Sequence, residues 1–151
     1  MNETKQNIVI VGIGNEIRCD DAIGIVVGKR LADSLACDFI EETSVDLSLI
    51  DLFEKYEKVI LIDSVKTGGK VGTLYEIPIA DLPGKKAISA HSRDFHSLIY
   101  IAKNNGVAVE SRVLFFAIEI FKNNEFGENL SPDLASQIPV IEEEIRKIII
   151  S

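Results

Sequence analysis

Two adjacent aspartates, Asp20 and Asp21, end a glycine-containing segment near the start of the chain, within the stretch GIGNEIRCDDAIG. A third aspartate, Asp63, follows the apolar run VILI, and His91 lies in a polar connection ahead of a predicted helix. Carboxylates combined with one imidazole can bind a transition metal and leave coordination positions open. These residue types therefore predict a metal site, suited to nickel or zinc, if the fold brings them together.

Each of these side chains also has a purely structural interpretation. An aspartate at the start of a helix commonly caps that helix, and one at the end of a strand commonly stabilises a turn. A lone histidine in a loop is more often structural than functional. His91 and His96, the two histidines of the chain, are five residues apart, which disfavours a two-histidine metal pair on one helical face.

The spacing of apolar residues predicts alternating strands and helices. Short apolar runs indicate strands at 8–11, 38–41, 59–62, 71–77 and 113–120, and helical spacing indicates helices at 21–35, 47–55, 92–103 and 131–149. The last of these helices contains Pro139, which interrupts or divides it. Ser131 is expected to be its N-cap, with Pro132 at the first helical position.

These elements predict one α/β domain over residues 1–151. Its core is a twisted, mostly parallel sheet of about five strands with helices on both faces. The strand at 71–77 follows its predecessor without a crossover helix, so it is expected to pair antiparallel at a sheet edge. Ligands of such sheets gather at the carboxyl ends of the strands. We therefore expect the aspartates and His91 at that edge, where Asp46 could add a further carboxylate.

Composition excludes several classes of protein. The formal net charge of −8 argues against non-specific binding to nucleic acid or to an anionic membrane. No apolar run approaches the roughly 18–20 residues of a membrane span. The first residues do not read as a signal peptide, so a cytoplasmic location is expected. The two cysteines, Cys19 and Cys37, suggest neither a disulfide framework nor a thiolate zinc site.

A dinucleotide-binding oxidoreductase is an alternative, because Gly12-Ile13-Gly14 lies between a strand and a helix as in the GxGxxG fingerprint. The third glycine of that fingerprint would fall on Ile17. Acidic side chains ahead of the helix would also repel a pyrophosphate at its N-terminus. No nucleotide cofactor is therefore expected.

The segment GIGNEIRCDDAIG is similar to the first motif of the hydrogenase maturation proteases. VILIDSV resembles the second motif of that family and ISAHS the third, and the three occur in the same order. The resemblance implies an endopeptidase that removes the C-terminal extension of a nickel–iron hydrogenase large-subunit precursor after nickel insertion. It also implies that the nickel is supplied by this precursor, which is the client of the protease. A non-catalytic chaperone of the nickel site remains an alternative.

The resemblance assigns roles to individual positions. It implies that Asp21, Asp63 and His91 contact the nickel, and that Asp20 is a neighbouring carboxylate that caps or supports. Asn15 is expected to shape the loop, because asparagine tolerates left-handed backbone and caps local amides. The motif glycines are expected to serve backbone geometry or packing rather than chemistry: Gly12, Gly14 and Gly24.

Overall fold

A computed structural model describes residues 7–15, 19–79, 90–121 and 130–151, with backbone alone at 19 and 90–93. The strands are β1 (Ile8–Ile13), β2 (Asp38–Glu42), β3 (Lys58–Val65), β4 (Leu74–Ile77) and β5 (Val113–Glu119). They form one sheet in the order β2-β1-β3-β5-β4. The first four of these strands are parallel neighbours, and β4 pairs antiparallel with β5 at the edge. The predicted α/β class and the antiparallel edge strand are both confirmed.

The described residues form five α-helices that cover the sheet: α1 (Ile23–Leu35), α2 (Ile50–Lys55), α3 (Ala90–Asn104), α4 (Pro132–Ala135) and α5 (Ile138–Ile150). Two 3-10 turns, Cys19–Ala22 and Leu47–Leu49, precede α1 and α2. The predicted helix at 21–35 therefore begins as a 3-10 turn. The predicted helix at 131–149 is divided, with Pro139 in the first turn of α5, where its missing N–H costs no helical hydrogen bond.

The two faces of the sheet bury separate hydrophobic clusters, because strand side chains alternate between faces. Val9, Val11, Val59 and Leu61 face α2 and α3, which contribute Phe53 and Phe95 among others. The alternate positions, including Ile10, Ile60 and Ile62, face α1, α4 and α5. Continuous apolar strands are thus buried on both faces, as the sequence predicted.

Arg30 is a polar residue of α1 that bonds to the neighbouring helix. Its guanidinium donates to Glu142 Oε2 of α5 at 3.2 Å, across the surface where α1 and α5 pack together. None of the helices in the described ranges is long and apolar enough to cross a bilayer. The predicted polar connection at 80–89 and the segment 122–129 lie outside those ranges.

Candidate active site

The glycines of the first motif let the start of α1 lie directly against the ends of β1 and β3. A Cβ at Gly24 would lie 2.3 Å from the carbonyl oxygen of Ile62, and one at Gly14 would lie 2.3 Å from that of Asp21. At Gly12 a Cβ would lie 2.8 Å from the Cα of Ile25. Each distance is below van der Waals contact, so these positions exclude any side chain. The start of α1 therefore packs directly on the backbone of β1 and β3.

Ser64 hydrogen bonds with two of the predicted ligands. Its hydroxyl donates to Asp21 Oδ1 at 2.8 Å, and its backbone amide donates to Asp63 Oδ1 at 2.7 Å. Asp63 is 1% exposed, while Asp21 is half-buried. Both carboxylates therefore lie at the carboxyl end of β3, although Asp21 and Asp63 are 42 residues apart in sequence.

The two aspartates approach the end of β3 from opposite faces of the sheet. Val59, Leu61 and Val65 face the α2 and α3 side, and Asp63 shares their alternation. Ser64 therefore faces the α1 side, from which Asp21 reaches it. The strand end is thus flanked by one carboxylate on each side.

His91 was predicted to lie in the connection ahead of the helix, but α3 begins at Ala90 and includes it. His91 is in the first turn of α3, one helical turn before Phe95. The ring of Phe95 packs edge-on against that of Phe115 at 4.5 Å between centroids. A short connection joins the end of α3 to the start of β5, so α3 runs antiparallel to β5 and begins towards the carboxyl edge. The side chain of His91 is outside the described part of the chain. Its contact with the aspartates therefore stays a prediction.

Among the side chains that are described, no set of three or more histidines, cysteines, aspartates or glutamates is gathered closely enough to hold a metal ion. The described pair is Asp21 and Asp63. His96, the other histidine, is held elsewhere, with Nε2 2.9 Å from the carbonyl oxygen of Pro78.

Asp20 has a different role from its neighbour Asp21. It is 1% exposed, and it accepts hydrogen bonds from the Ser131 amide at 2.7 Å and from the Ser131 hydroxyl at 2.9 Å. Ser131 is the N-cap residue of α4, as predicted, but its hydroxyl bonds Asp20 rather than the helix. Asp20 therefore links the N-terminus of α4 to the 3-10 turn that contains Asp21.

Replacing Asp20 by alanine is expected to lower the free energy of unfolding by about 1 to 3 kcal/mol, because it leaves the part-buried amide and hydroxyl of Ser131 without their charged acceptor. Urea denaturation measures this loss. Asp20→Asn retains one acceptor oxygen, so it should lose less stability. A fully stable Asp20→Ala protein would contradict the anchoring role.

Two expectations for the loops need correction. Asn15 was expected to use left-handed backbone, but Ala36 is the one non-glycine residue with positive φ in the described ranges. The expectation of left-handed backbone at Asn15 is therefore wrong, and the expected capping of local amides stays a prediction. Asp46 instead caps the 3-10 turn Leu47–Leu49, accepting from the Ser48 amide at 2.9 Å. Hydrogen bonds from the side chain and amide of Ser48 lower the pKa of Asp46.

Sequence reasoning missed two residues at this edge, Ser64 and Glu119. Glu119 is fully buried at the end of β5 and accepts from the Thr67 amide at 2.8 Å and from the Tyr75 hydroxyl at 2.9 Å. The Thr67 hydroxyl also donates to it. Burial raises the pKa of Glu119, but these hydrogen bonds and one from the Gly69 amide outweigh burial and lower it. One charged residue inside the apolar run VLFFAIEI was the available signal.

Comparison with known proteins points to one family. Residues 28–148 match the model of the HycI family, described as hydrogenase maturation protease. The chain is 27% identical over 151 aligned residues to the hydrogenase expression/formation protein HupD of Rhodobacter capsulatus, covering 95% of this chain and 71% of HupD. It is 23% identical to HoxM of Azotobacter vinelandii, described in the same terms, covering 89% of this chain and 68% of HoxM.

Solved structures show the same fold. The [NiFe] hydrogenase maturation protease HybD from Thermococcus kodakarensis superimposes with a TM-score of 0.71 at 19% identity, covering 94% of this chain and 98% of HybD. The [NiFe] hydrogenase maturation protease HycI from the same organism gives 0.69 at 23% identity, covering 97% and 94%.

Proposed function

The chain belongs to the hydrogenase maturation protease family, whose members are peptidases, and from that premise we propose its specific reaction. It removes the C-terminal extension of a nickel–iron hydrogenase large-subunit precursor, and it acts after nickel has been inserted. The observation that carries this proposal is the bonding of Ser64 to both Asp21 and Asp63. Two acidic residues distant in sequence thereby lie at the carboxyl end of β3, one on each face of the sheet.

In this proposal the nickel ion is part of the substrate, and Asp21, Asp63 and His91 recognise it. A divalent ion supplied by the client would attract each of these carboxylates, since a nearby opposite charge favours the charged form of a carboxyl group. The burial of Asp63 strengthens that attraction, because charges interact more strongly away from water.

The position of α3 supports including His91. Phe115, the contact of Phe95, lies two residues before Ala117 on β5, and Ala117 is the register partner of Asp63. One helical turn, about 5.4 Å, separates His91 from Phe95, and two strand residues span about 6.6 Å. The backbone of His91 therefore lies near the level of Asp63, on the helix that covers the same face.

Two carboxylates and one imidazole leave coordination positions that ligands of the client can occupy. Bound in this way, nickel would act as a Lewis acid towards a carbonyl or a water molecule near the scissile bond. The role of the chain's own residues is to bind and orient. Ser64 keeps the Asp21 carboxylate in place, and the glycine packing keeps the start of α1 against the strand ends.

The deciding experiment mixes the purified protein with a large-subunit precursor in nickel-loaded and nickel-free forms, and follows the precursor by intact mass. The mass of the extension should be lost from the nickel-loaded precursor alone. Equal cleavage of both forms would contradict recognition through nickel. Stable binding of the nickel-loaded precursor without any mass change would identify a chaperone of the nickel site instead of a protease.

A further inference from the structure

Glu119 has no role in the reaction proposed above, yet it is the most completely buried charged side chain among the described residues, at 0% exposure. Burying a carboxylate is costly unless hydrogen bonds replace its hydration. Its position at the carboxyl end of β5 places it at the same edge of the sheet as Asp63 and Ser64. The free-energy cost of burying a charge at this edge suggests that Glu119 has a role beyond packing.

The donors to Glu119 come from the segment that leaves β3. The Thr67 amide and hydroxyl donate to it, and the Tyr75 hydroxyl donates from β4. We call residues 66–69 the β3 exit turn. A Cβ at Gly69 would lie 3.0 Å from Glu119 Oε1 and 2.8 Å from the Tyr75 hydroxyl, so the turn packs closely on the carboxylate.

The β3 exit turn begins two residues after Ser64. Val65 lies between Ser64 and this turn and is the register partner of Glu119. These two residues are the last pair between β3 and β5, so Glu119 lies where the pairing of the two strands ends. Asp63 is the diagonal neighbour of Glu119 on the same face of the sheet. Strand spacing and rise put their Cα atoms roughly 8 Å apart. Glu119 is thus near enough to fix the strand end without occupying the place of a ligand.

We propose that Glu119 is a positioning residue of the peptidase site. It holds the β3 exit turn in one conformation, and this conformation keeps the Ser64 amide on Asp63 and the Ser64 hydroxyl on Asp21. Without it the end of β3 would be free to fray, because the amide and hydroxyl of Thr67 would lose their shared acceptor. The two aspartates would then lose their fixed positions at the end of β3.

Glu119→Gln tests this with minimal change of shape, since an amide nitrogen cannot accept the hydrogen bonds that the carboxylate oxygen accepts. The matched control is Glu76→Gln, which changes an exposed glutamate next to Tyr75 on β4. The activity readout rests on the proposed function. With nickel-loaded precursor, Glu119→Gln should lower kcat at least about tenfold and change KM less than about threefold, while Glu76→Gln should match the wild type.

A second readout does not depend on the client. In amide exchange and NMR spectra, Glu119→Gln should shift the Ser64 amide signal and remove exchange protection from 64–69, while the centre of β5 stays protected. An unchanged Ser64 amide would overturn the proposal, whatever the protease assay gives. Failure of the wild-type protein to cleave, with the NMR changes present, would count against the proposed function alone.

A second variant keeps the proposal testable without changing Glu119 itself. If Glu119→Gln does not fold, the double substitution Thr67→Val with Tyr75→Phe removes two donors and leaves the carboxylate bonded to the backbone amide of residue 67. It should give a smaller change of the same kind, with kcat reduced and the Ser64 amide shifted. A folded double variant with wild-type kcat and an unshifted Ser64 amide would also overturn the positioning role.

Discussion

The Asp63→Asn protein is expected to remain folded and to lose at least about 100-fold of its rate of client processing. An asparagine oxygen can still accept from the Ser64 amide, so the buried hydrogen bond survives. What disappears is the negative charge that would attract a nickel ion. The rate is measured with nickel-loaded precursor by intact mass, and the fold is checked by circular dichroism and urea denaturation.

The same loss is expected for Asp21→Asn and for His91→Ala. Asp33→Asn is the matched control, because Asp33 is an exposed residue of α1 about 18 Å along the helix axis from Asp21. Full processing by the His91→Ala protein would remove the imidazole from the proposed recognition set. Full processing by Asp63→Asn would end the proposal that these carboxylates recognise the metal.

Gly24→Ala is expected to lower the free energy of unfolding by about 3 kcal/mol or more, a cost at the upper end of overpacking effects. The new Cβ would meet two backbone carbonyl oxygens, those of Ile62 at 2.3 Å and Ile13 at 2.8 Å. Backbone cannot rotate away as a side chain can, so α1 would have to move off the sheet. Urea denaturation gives the loss through the shift in midpoint.

Gly28→Ala, one turn further along α1, is the matched control. There the Cβ would meet two side-chain carbons, Phe39 Cε1 at 2.9 Å and Ile10 Cγ2 at 3.2 Å. Side chains can adjust, and alanine is a better helix former than glycine by about 1 kcal/mol. Gly28→Ala should therefore cost less than Gly24→Ala, and the reverse order would contradict the packing argument.

Gly24→Ala should also reduce client processing in the fraction of protein that stays folded. Displacement of α1 would move the turn Cys19–Ala22, and with it Asp21, away from Ser64. Intact-mass assays at low temperature, normalised to the folded fraction, separate this effect from simple unfolding.

Much of the fold was predictable because its signals are local. The apolar runs at 8–11 and 59–62 lack alternation, and such runs form strands covered on both faces. The missing crossover helix before β4 predicted its antiparallel pairing at the edge. Pro139 marked the division between α4 and α5, since proline fits the first turn of a helix but not its interior.

The roles of neighbouring acidic residues were not predictable in the same way. Asp20 and Asp21 are adjacent and chemically identical, yet one anchors Ser131 and the other meets Ser64. Both lie in a 3-10 turn, where successive side chains point about 120° apart, so they face different partners. Those partners come from segments distant in sequence, and local spacing carries no information about them.

By itself, then, the sequence determined the order and type of the elements, the motif glycines and the family resemblance, because periodicity and motif spacing are properties of the chain. Tertiary structure alone decided which hydrogen-bond partners each carboxylate has. It placed Asp21 and Asp63 on one serine, diverted Asp20 to α4 and Asp46 to a cap, and buried Glu119 beneath the β3 exit turn. The physical reason is that hydrogen-bond partners across a sheet edge are set by strand register and packing.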